Sequence, residues 1–219
     1  MSLWIKICAN TSLEDAMAAA DAGADAVGFV FAPSPRRITA DQTAAIVAGL
    51  PAKIEKVGVF VDAALEEIVR TVEGAGLTGV QLHSNGQAAE TAKLRARFGP
   101  QLRILRVVHF EAGASERAAE AAQDANVDAI LIDSRTATAV GGTGQTYDWA
   151  EARRTLFQHR GTPKHLIAAG GLTPENVAEA IAMLRPWGVD VVSGVESAPG
   201  RKDAAKVRAF IENARAANK

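Results

Sequence analysis

Val27-Gly28-Phe29-Val30-Phe31 is apolar on five consecutive residues. A strand wet on one face alternates apolar with polar residues. A strand covered on both faces need not, and parallel sheets buried between helices carry such continuous runs. The stretch sits inside a longer run, Ala26–Phe31. Seven comparable runs recur along the chain: Leu3–Cys8, Ile54–Val61, Gly79–Leu82, Leu102–Val108, Asp128–Ile132, His165–Ala169 and Val189–Val192. Segments rich in Ala, Glu and Leu separate them, and their ends carry helix punctuation. Thr11-Ser12-Leu13-Glu14 and Thr39-Ala40-Asp41-Gln42 fit capping boxes. Thr173-Pro174 sets an N-cap before a proline at the first helical position. Gly23 and Gly99 suit left-handed helix stops.

Strands alternating with helices specify βαβ units and a parallel sheet. A doubly wound nucleotide-binding sheet wants a glycine-rich turn after its first strand. Here that turn reads Ile7-Cys8-Ala9-Asn10, with no glycine. Eight units that close on themselves give an α/β fold of the (β/α)8 TIM-barrel type. The 219 residues are read as one such domain, 1–219, compact for a barrel, and 48% hydrophobic content supplies its core.

Lys+Arg number 24 against Asp+Glu 25, a net charge of −1, so neither a nucleic-acid partner nor an acidic solvating tail is expected. The lone cysteine, Cys8, rules out an internal disulfide and suits a reducing cytoplasm. No apolar run nears the ~18 residues of a membrane span, and the opening MSLWIKIC lacks the pattern of a secretory leader. The expected partner is a phosphorylated small molecule, bound by a monomer or homodimer without nucleic acid or membrane.

Barrel enzymes gather their reactive groups at the C-terminal ends of the strands. Those ends carry Cys8, Gln81-Leu82-His83, Asp133-Ser134, Gly170-Gly171 and Ser193-Gly194. Asp133 closes the apolar run Ala129–Ile132, so it needs partners or a cavity. Gly170-Gly171 and Ser193-Gly194 follow strands 7 and 8, where barrels hold a phosphate on main-chain N–H groups. Gly141-Gly142-Thr143-Gly144 reads as a third anion-facing or mobile loop. Lys6 shares a strand face with Cys8 one layer deeper, and Asp190 on the neighbouring strand is placed to neutralise it; the pair reads as structural. The scattered histidines and single cysteine show no metal-ligand spacing, so no metal is expected.

A series of segments then makes the chain recognisable: Lys6-Ile7-Cys8, Gly23–Phe31, Ser34-Pro35-Arg36, Val57–Val61, Val80–His83, Leu131-Ile132-Asp133-Ser134, Gly141–Gly144 with Asp148-Trp149, Gly170–Val177, and Ser193–Glu196 with Pro199–Asp203. In this order they resemble phosphoribosylanthranilate isomerase of tryptophan biosynthesis, over nearly the whole chain. The resemblance implies a (β/α)8 barrel with no cofactor and an Amadori rearrangement of a phosphorylated aminoaldose. It implies Cys8 as general base, Asp133 as general acid and Arg36 as the holder of the anthranilate carboxylate. Gly142, Gly144, Gly171, Ser193 and Gly194 would surround the phosphate, and Gly170 and His83 join the substrate-binding set. The chain departs from the family at Ala9, where glycine is usual, at Val192, where a small polar residue is common, and at Ser84-Asn85-Gly86.

The reaction needs an acid on the furanose oxygen and a base on C2 of the sugar. Ordinary pKa values of ~8.5 for a thiol and ~3.9 for an aspartate would leave the productive pair in on the order of 1 in 10⁴–10⁵ molecules at neutral pH. Burial and the substrate phosphate are expected to raise Asp133. Backbone N–H groups or helix N-termini are expected to lower Cys8. Two rivals share the barrel. A phosphosugar lyase or decarboxylase forming a Schiff base would want a lysine at a strand end, which Lys6 lies too deep to be. A non-catalytic phosphate-binding barrel would need no acid and base. A dual histidine- and tryptophan-pathway isomerase would want an acid in place of Cys8.

Overall fold

A computed structural model describes residues 2–83, 88–134, 146–158 and 164–218. The strands are β1 Trp4–Ile7, β2 Ala26–Val30, β3 Glu55–Val61, β4 Gly79–His83, β5 Arg103–His109, β6 Ala129–Asp133, β7 His165–Ala168 and β8 Gly188–Val191. They form a closed barrel in chain order, and β1 pairs in parallel with both β2 and β8. Each of the eight apolar runs is a strand, with no end shifted by more than one residue. β4, β5 and β6 each run one residue further than expected, to His83, His109 and Asp133.

Alternation along the strands divides the apolar residues into two sets. Trp4, Ala26, Val57, Leu105, Ala129 and Ile167 belong to a cluster that fills the barrel interior, the layered packing that makes such a barrel solid rather than a pore. Ile5, Ile7, Val27, Phe29 and Ile104 face the other way, into the larger core beneath the helices. This double burial is why the strands lack polar alternation. Among the described residues no helix is long and apolar enough to cross a membrane.

Helices α1 Leu13–Asp21, α2 Ala40–Ala48, α3 Leu65–Ala75, α4 Ala88–Phe98, α5 Ala114–Gln123, α6 Trp149–Ala152, α7 Val177–Leu184 and α8 Ala204–Ala217 surround the sheet. The Thr39 capping box forms on α2, with both halves present. The box expected at Thr11 does not. Ser12 caps α1 by accepting from the Asp15 N–H, while the Thr11 hydroxyl donates to Gly200 O across the mouth of the barrel. The helix expected at Thr173-Pro174 starts later, at Val177. Thr173 still organises the turn before it, since its hydroxyl accepts from the Glu175 N–H and its own N–H donates to Asn176 Oδ1. Gly23 and Gly99 take φ of +94° and +71° just past α1 and α4.

After β8 comes an element pair with no sequence forecast. A short turn, Ser193–Val195, leads into a two-stranded antiparallel hairpin of Glu196–Ala198 with Arg201–Lys202. This hairpin carries two buried charges, Glu196 and Lys202.

Candidate active site

The C-terminal ends of the strands open into a cleft. Cys8, Arg36, His83, Asp133, Gly170, Gly171 and Ser193 all line it. Gly194 stands just behind the wall, and Gly142 and Gly144 lie outside the described residues. Among the described residues no cluster of His, Cys, Asp or Glu is placed to hold a metal ion.

Cys8 follows the last residue of β1, and its N–H donates to Val191 O on β8. Only 3% of it is exposed, at the cleft floor. Opposite, on β2, stands Gly28. A Cβ there would come within 2.5 Å of the Cys8 sulfur and 3.0 Å of Lys6 Cε, so glycine is what leaves the thiol its space. The next residue, Ala9, has φ of +61°, in the left-handed region that favours glycine. The departure noted at this position therefore carries backbone strain. Asn10 secures the turn from beneath by donating its side-chain amide to Ile7 O at 2.8 Å.

Lys6 is fully buried, with its ammonium 2.9 Å from Asp190 Oδ1 and 2.8 Å from Gln81 Oε1. The expected neutralisation by Asp190 is present, and the strand register sets the two residues side by side. Lys6 does not itself line the cleft, but its Cε and the Cys8 sulfur flank the point where a Cβ on Gly28 would lie. Burial outweighs every opposing pull and holds the Cys8 thiol above its ordinary pKa, against the lowering expected from sequence; the strongest pull downward is the Lys6 charge, not backbone N–H groups or helix N-termini. Burial opposes the Lys6 ammonium, but Asp190 and the Cys8 sulfur together more than offset this and hold its pKa above the ordinary lysine value.

Gln81 passes the arrangement on to β4. An ammonium can only donate, so the Gln81 oxygen must face Lys6 and its NH2 must donate to His83 Nε2, 2.9 Å away. That bond needs a bare Nε2 and so fixes the proton of a neutral His83 on Nδ1. Asp133 ends β6. Its Oδ1 accepts from the Ser134 N–H at 2.8 Å. Near it lies the Tyr147 hydroxyl, a residue given no role by sequence, whose pKa burial and then the Asp133 charge push upward.

Arg36, on the loop after β2, forks onto Glu196. Nε donates to Oε1 at 2.9 Å and Nη2 to Oε2 at 2.7 Å. Lys202 approaches the same carboxylate at 3.3 Å and also donates to Val192 O. Burial works against the Glu196 carboxylate, yet Arg36, Lys202 and the Gly200 N–H together hold its pKa below the ordinary range. The hydrogen bond to Glu196 raises Arg36 in turn. Sequence reasoning quoted Glu196 and Lys202 without giving them a role. A signal was available, since an acid and a lysine spaced to face each other across the glycine turn at Gly200 are costly unless paired.

On the far rim Gly170 and Gly171 have φ of +80° and +63°, and being glycines they offer main chain rather than side chain to the cleft. A Cβ on Gly170 would run into Ser134, and one on Gly194 into Leu172 O. These glycines let the loops after β6, β7 and β8 close on one another, which shapes the rim.

The family model described as N-(5'phosphoribosyl)anthranilate (PRA) isomerase matches residues 5–213. The chain belongs to this family. An N-(5'-phosphoribosyl)anthranilate isomerase of Pseudomonas fluorescens is 44% identical over 211 residues, 96% of this chain and 97% of that protein. That of Pelobacter propionicus is 42% identical over 212 residues, 96% and 95%. The crystal structure of phosphoribosyl anthranilate isomerase from Thermotoga maritima is 37% identical, with a TM-score of 0.86 over 98% of this chain and 99% of that one. A further phosphoribosyl anthranilate isomerase, 35% identical with a TM-score of 0.83 and coverage of 98% and 99%, was solved in complex with reduced 1-(o-carboxyphenylamino)-1-deoxyribulose 5-phosphate. In a PRA isomerase barrel, the cleft just described sits where the fold puts its chemistry.

Proposed function

We propose that the chain converts N-(5'-phosphoribosyl)anthranilate into 1-(o-carboxyphenylamino)-1-deoxyribulose 5-phosphate, with Cys8 as general base and Asp133 as general acid. The observation that carries this reading is one cleft that holds a thiol from β1 and a carboxyl from β6, with an arginine and a glycine main-chain rim beside them.

The Asp133 carboxyl gives its proton to the furanose ring oxygen as the C1–O bond breaks, leaving a protonated Schiff base. The Cys8 thiolate takes the proton from C2, and the C–H electron pair forms the enolamine, which tautomerises to the ketone. Each group would contribute about 10²–10⁴ in rate. Arg36 recognises the anthranilate carboxylate, and its planar fork suits that geometry. Glu196 occupies the Nε and Nη2 edge, so this carboxylate holds the arginine in place and leaves Nη1 to the substrate. Gly170, Gly171, Ser193 and Gly194, with Gly142 and Gly144, surround the phosphate, and His83 lines the substrate cavity. One barrel domain supplies every group named, so a monomer or a homodimer serves, acting on a free metabolite in the cytoplasm.

The test follows consumption of the anthranilate-linked substrate by fluorescence. The wild type turns over with a bell-shaped pH profile that belongs to the coupled thiol and carboxyl. Cys8→Ala and Asp133→Asn each lose orders of magnitude in kcat with the fold intact, while Arg36→Ala mainly raises KM. Near-normal turnover by Cys8→Ala would return the cysteine to a packing role, and phosphate binding without turnover by the wild type would favour a non-catalytic barrel.

A further inference from the structure

The mechanism above leaves unused the most deeply buried cation among the described residues. Lys6 is 0% exposed, and its ammonium is held between Asp190 and Gln81. From β1 its side chain crosses the barrel interior, passes Gly28 on β2 with Cε within 3.0 Å of where a Cβ would lie, and reaches Gln81 on β4. Asp190 meets it from β8 at 2.9 Å. The same missing Cβ of Gly28 lies 2.5 Å from the Cys8 sulfur, so sulfur and lysine flank one point in the barrel. A buried ammonium needs acceptors whatever its role, and Asp190 and Gln81 supply them; what points to function is the sulfur on the other side of the same gap, since a buried ion pair is weak evidence of stability by itself.

We propose that Lys6 is a positioning residue for the general base, its ammonium fixed by Asp190 and Gln81 so that it faces the Cys8 sulfur and favours the thiolate. This rests on the assignment of Cys8 as base. Lys6 stays protonated throughout. Cys8 takes the C2 proton and becomes a neutral thiol, and the ammonium stabilises the thiolate on either side of that step. The Lys6 charge works against the burial that holds the thiol above its ordinary pKa, since an opposite charge within a few ångströms lowers a pKa by about 1–3 units.

Other charges among the described residues also act on the sulfur. Lys202 reaches Cys8 from the hairpin and Arg36 from the loop after β2, but both are tied to Glu196. Asp190 opposes the thiolate from β8, and His83 and Asp133 line the same cleft from β4 and β6. Lys6 is the cation that pulls the thiol most strongly.

Cys8 is the only cysteine, so thiolate absorbance and the pH dependence of alkylation by iodoacetamide report on it alone. Both are measured on wild type, Lys6→Met and Asp190→Asn, together with the acid limb of the kcat profile. Lys6→Met moves the thiol midpoint up by about one pH unit or more, and Asp190→Asn, which removes a nearby anion, moves it down. Both variants break the same ion pair, so a purely structural role for Lys6 would move both midpoints alike or neither. That result, in proteins that remain folded by circular dichroism, would overturn the proposal. If Lys6→Met does not fold, Asp190→Asn decides alone, because the amide keeps the shape and Lys6 keeps Gln81: a midpoint that stays or rises sinks the idea. The thiol readout needs no substrate. Opposed midpoint shifts in a protein that fails to isomerise the aminoaldose would therefore support the lysine–sulfur coupling and end the isomerase reading, and unmoved midpoints in an active isomerase would do the reverse.

Discussion

Gly28→Ala tests the geometry of the cleft floor. The added Cβ would lie 2.5 Å from the Cys8 sulfur, 3.1 Å from Cys8 Cα and 3.0 Å from Lys6 Cε. Ordinary non-bonded separations are about 3.5–4.0 Å, so the sulfur must retreat by roughly 1 Å. Forcing an extra methyl group into a packed interior costs about 1–3 kcal/mol, and alanine recovers about 0.5–1 kcal/mol over glycine within a strand. The single substitution should therefore destabilise by about 0.5–2 kcal/mol. Its effect on turnover should be larger in proportion, since a misplacement of about 1 Å in a reacting group costs on the order of 10²-fold. The assay is urea unfolding of Gly28→Ala, Cys8→Ala and the double variant. Removing the sulfur takes away the closest of the three contacts and leaves 3.0 Å to Lys6 Cε and 3.1 Å to Cys8 Cα, so Gly28→Ala should cost clearly less in the Cys8→Ala background. That gives a coupling of about 1 kcal/mol or more between touching residues. Additive effects within about 0.3 kcal/mol would mean that Gly28 and Cys8 do not share that space, and the account of why β2 carries a glycine there would fall.

Two further outcomes follow from the same structure. Glu196 has its pKa held below the ordinary carboxylate range, so the folded state binds fewer protons than the unfolded chain as pH falls through ~4.3. The stability it contributes is present above that range and is lost on acidification through the folded pKa. Unfolding free energies of wild type and Glu196→Gln should differ at neutral pH and converge toward acid, and a pH-independent difference would refute the assignment. Ala9 sits at φ +61°, where an alanine costs about 1–2 kcal/mol. Ala9→Gly relieves this but gives back about 0.5–1 kcal/mol of chain entropy, so it should change stability by less than ~1 kcal/mol, while Ala9→Val should destabilise clearly more. Equal effects of glycine and valine, by thermal melting, would show that the backbone there is not under strain.

What sequence could reveal here follows from the range of the forces involved. The barrel was legible because burial on both faces writes itself locally: a strand such as Ala26–Val30 has no wet side, and its neighbours repeat the pattern eight times. Helix ends were legible only to within a residue or two. Ser12 and Thr11 are both hydroxyls, and what decides between them is a partner far away in the chain, Gly200, which claims Thr11. Cys8, His83 and Asp133 could be named because strand ends mark the reactive face, and Arg36 from the family resemblance alone, but the charges that tune them come from contacts across the ring. Lys6 meets Asp190 across 184 residues of chain and Gln81 across 75. Reading β1 alone places Lys6 one layer below Cys8 and suggests a buried strut. Only the closed barrel shows that a four-carbon side chain starting one layer down, with nothing but Gly28 in its way, ends beside the sulfur. The glycine that looks like a gap in an apolar strand is thus the residue that lets a structural lysine and a reactive thiol meet.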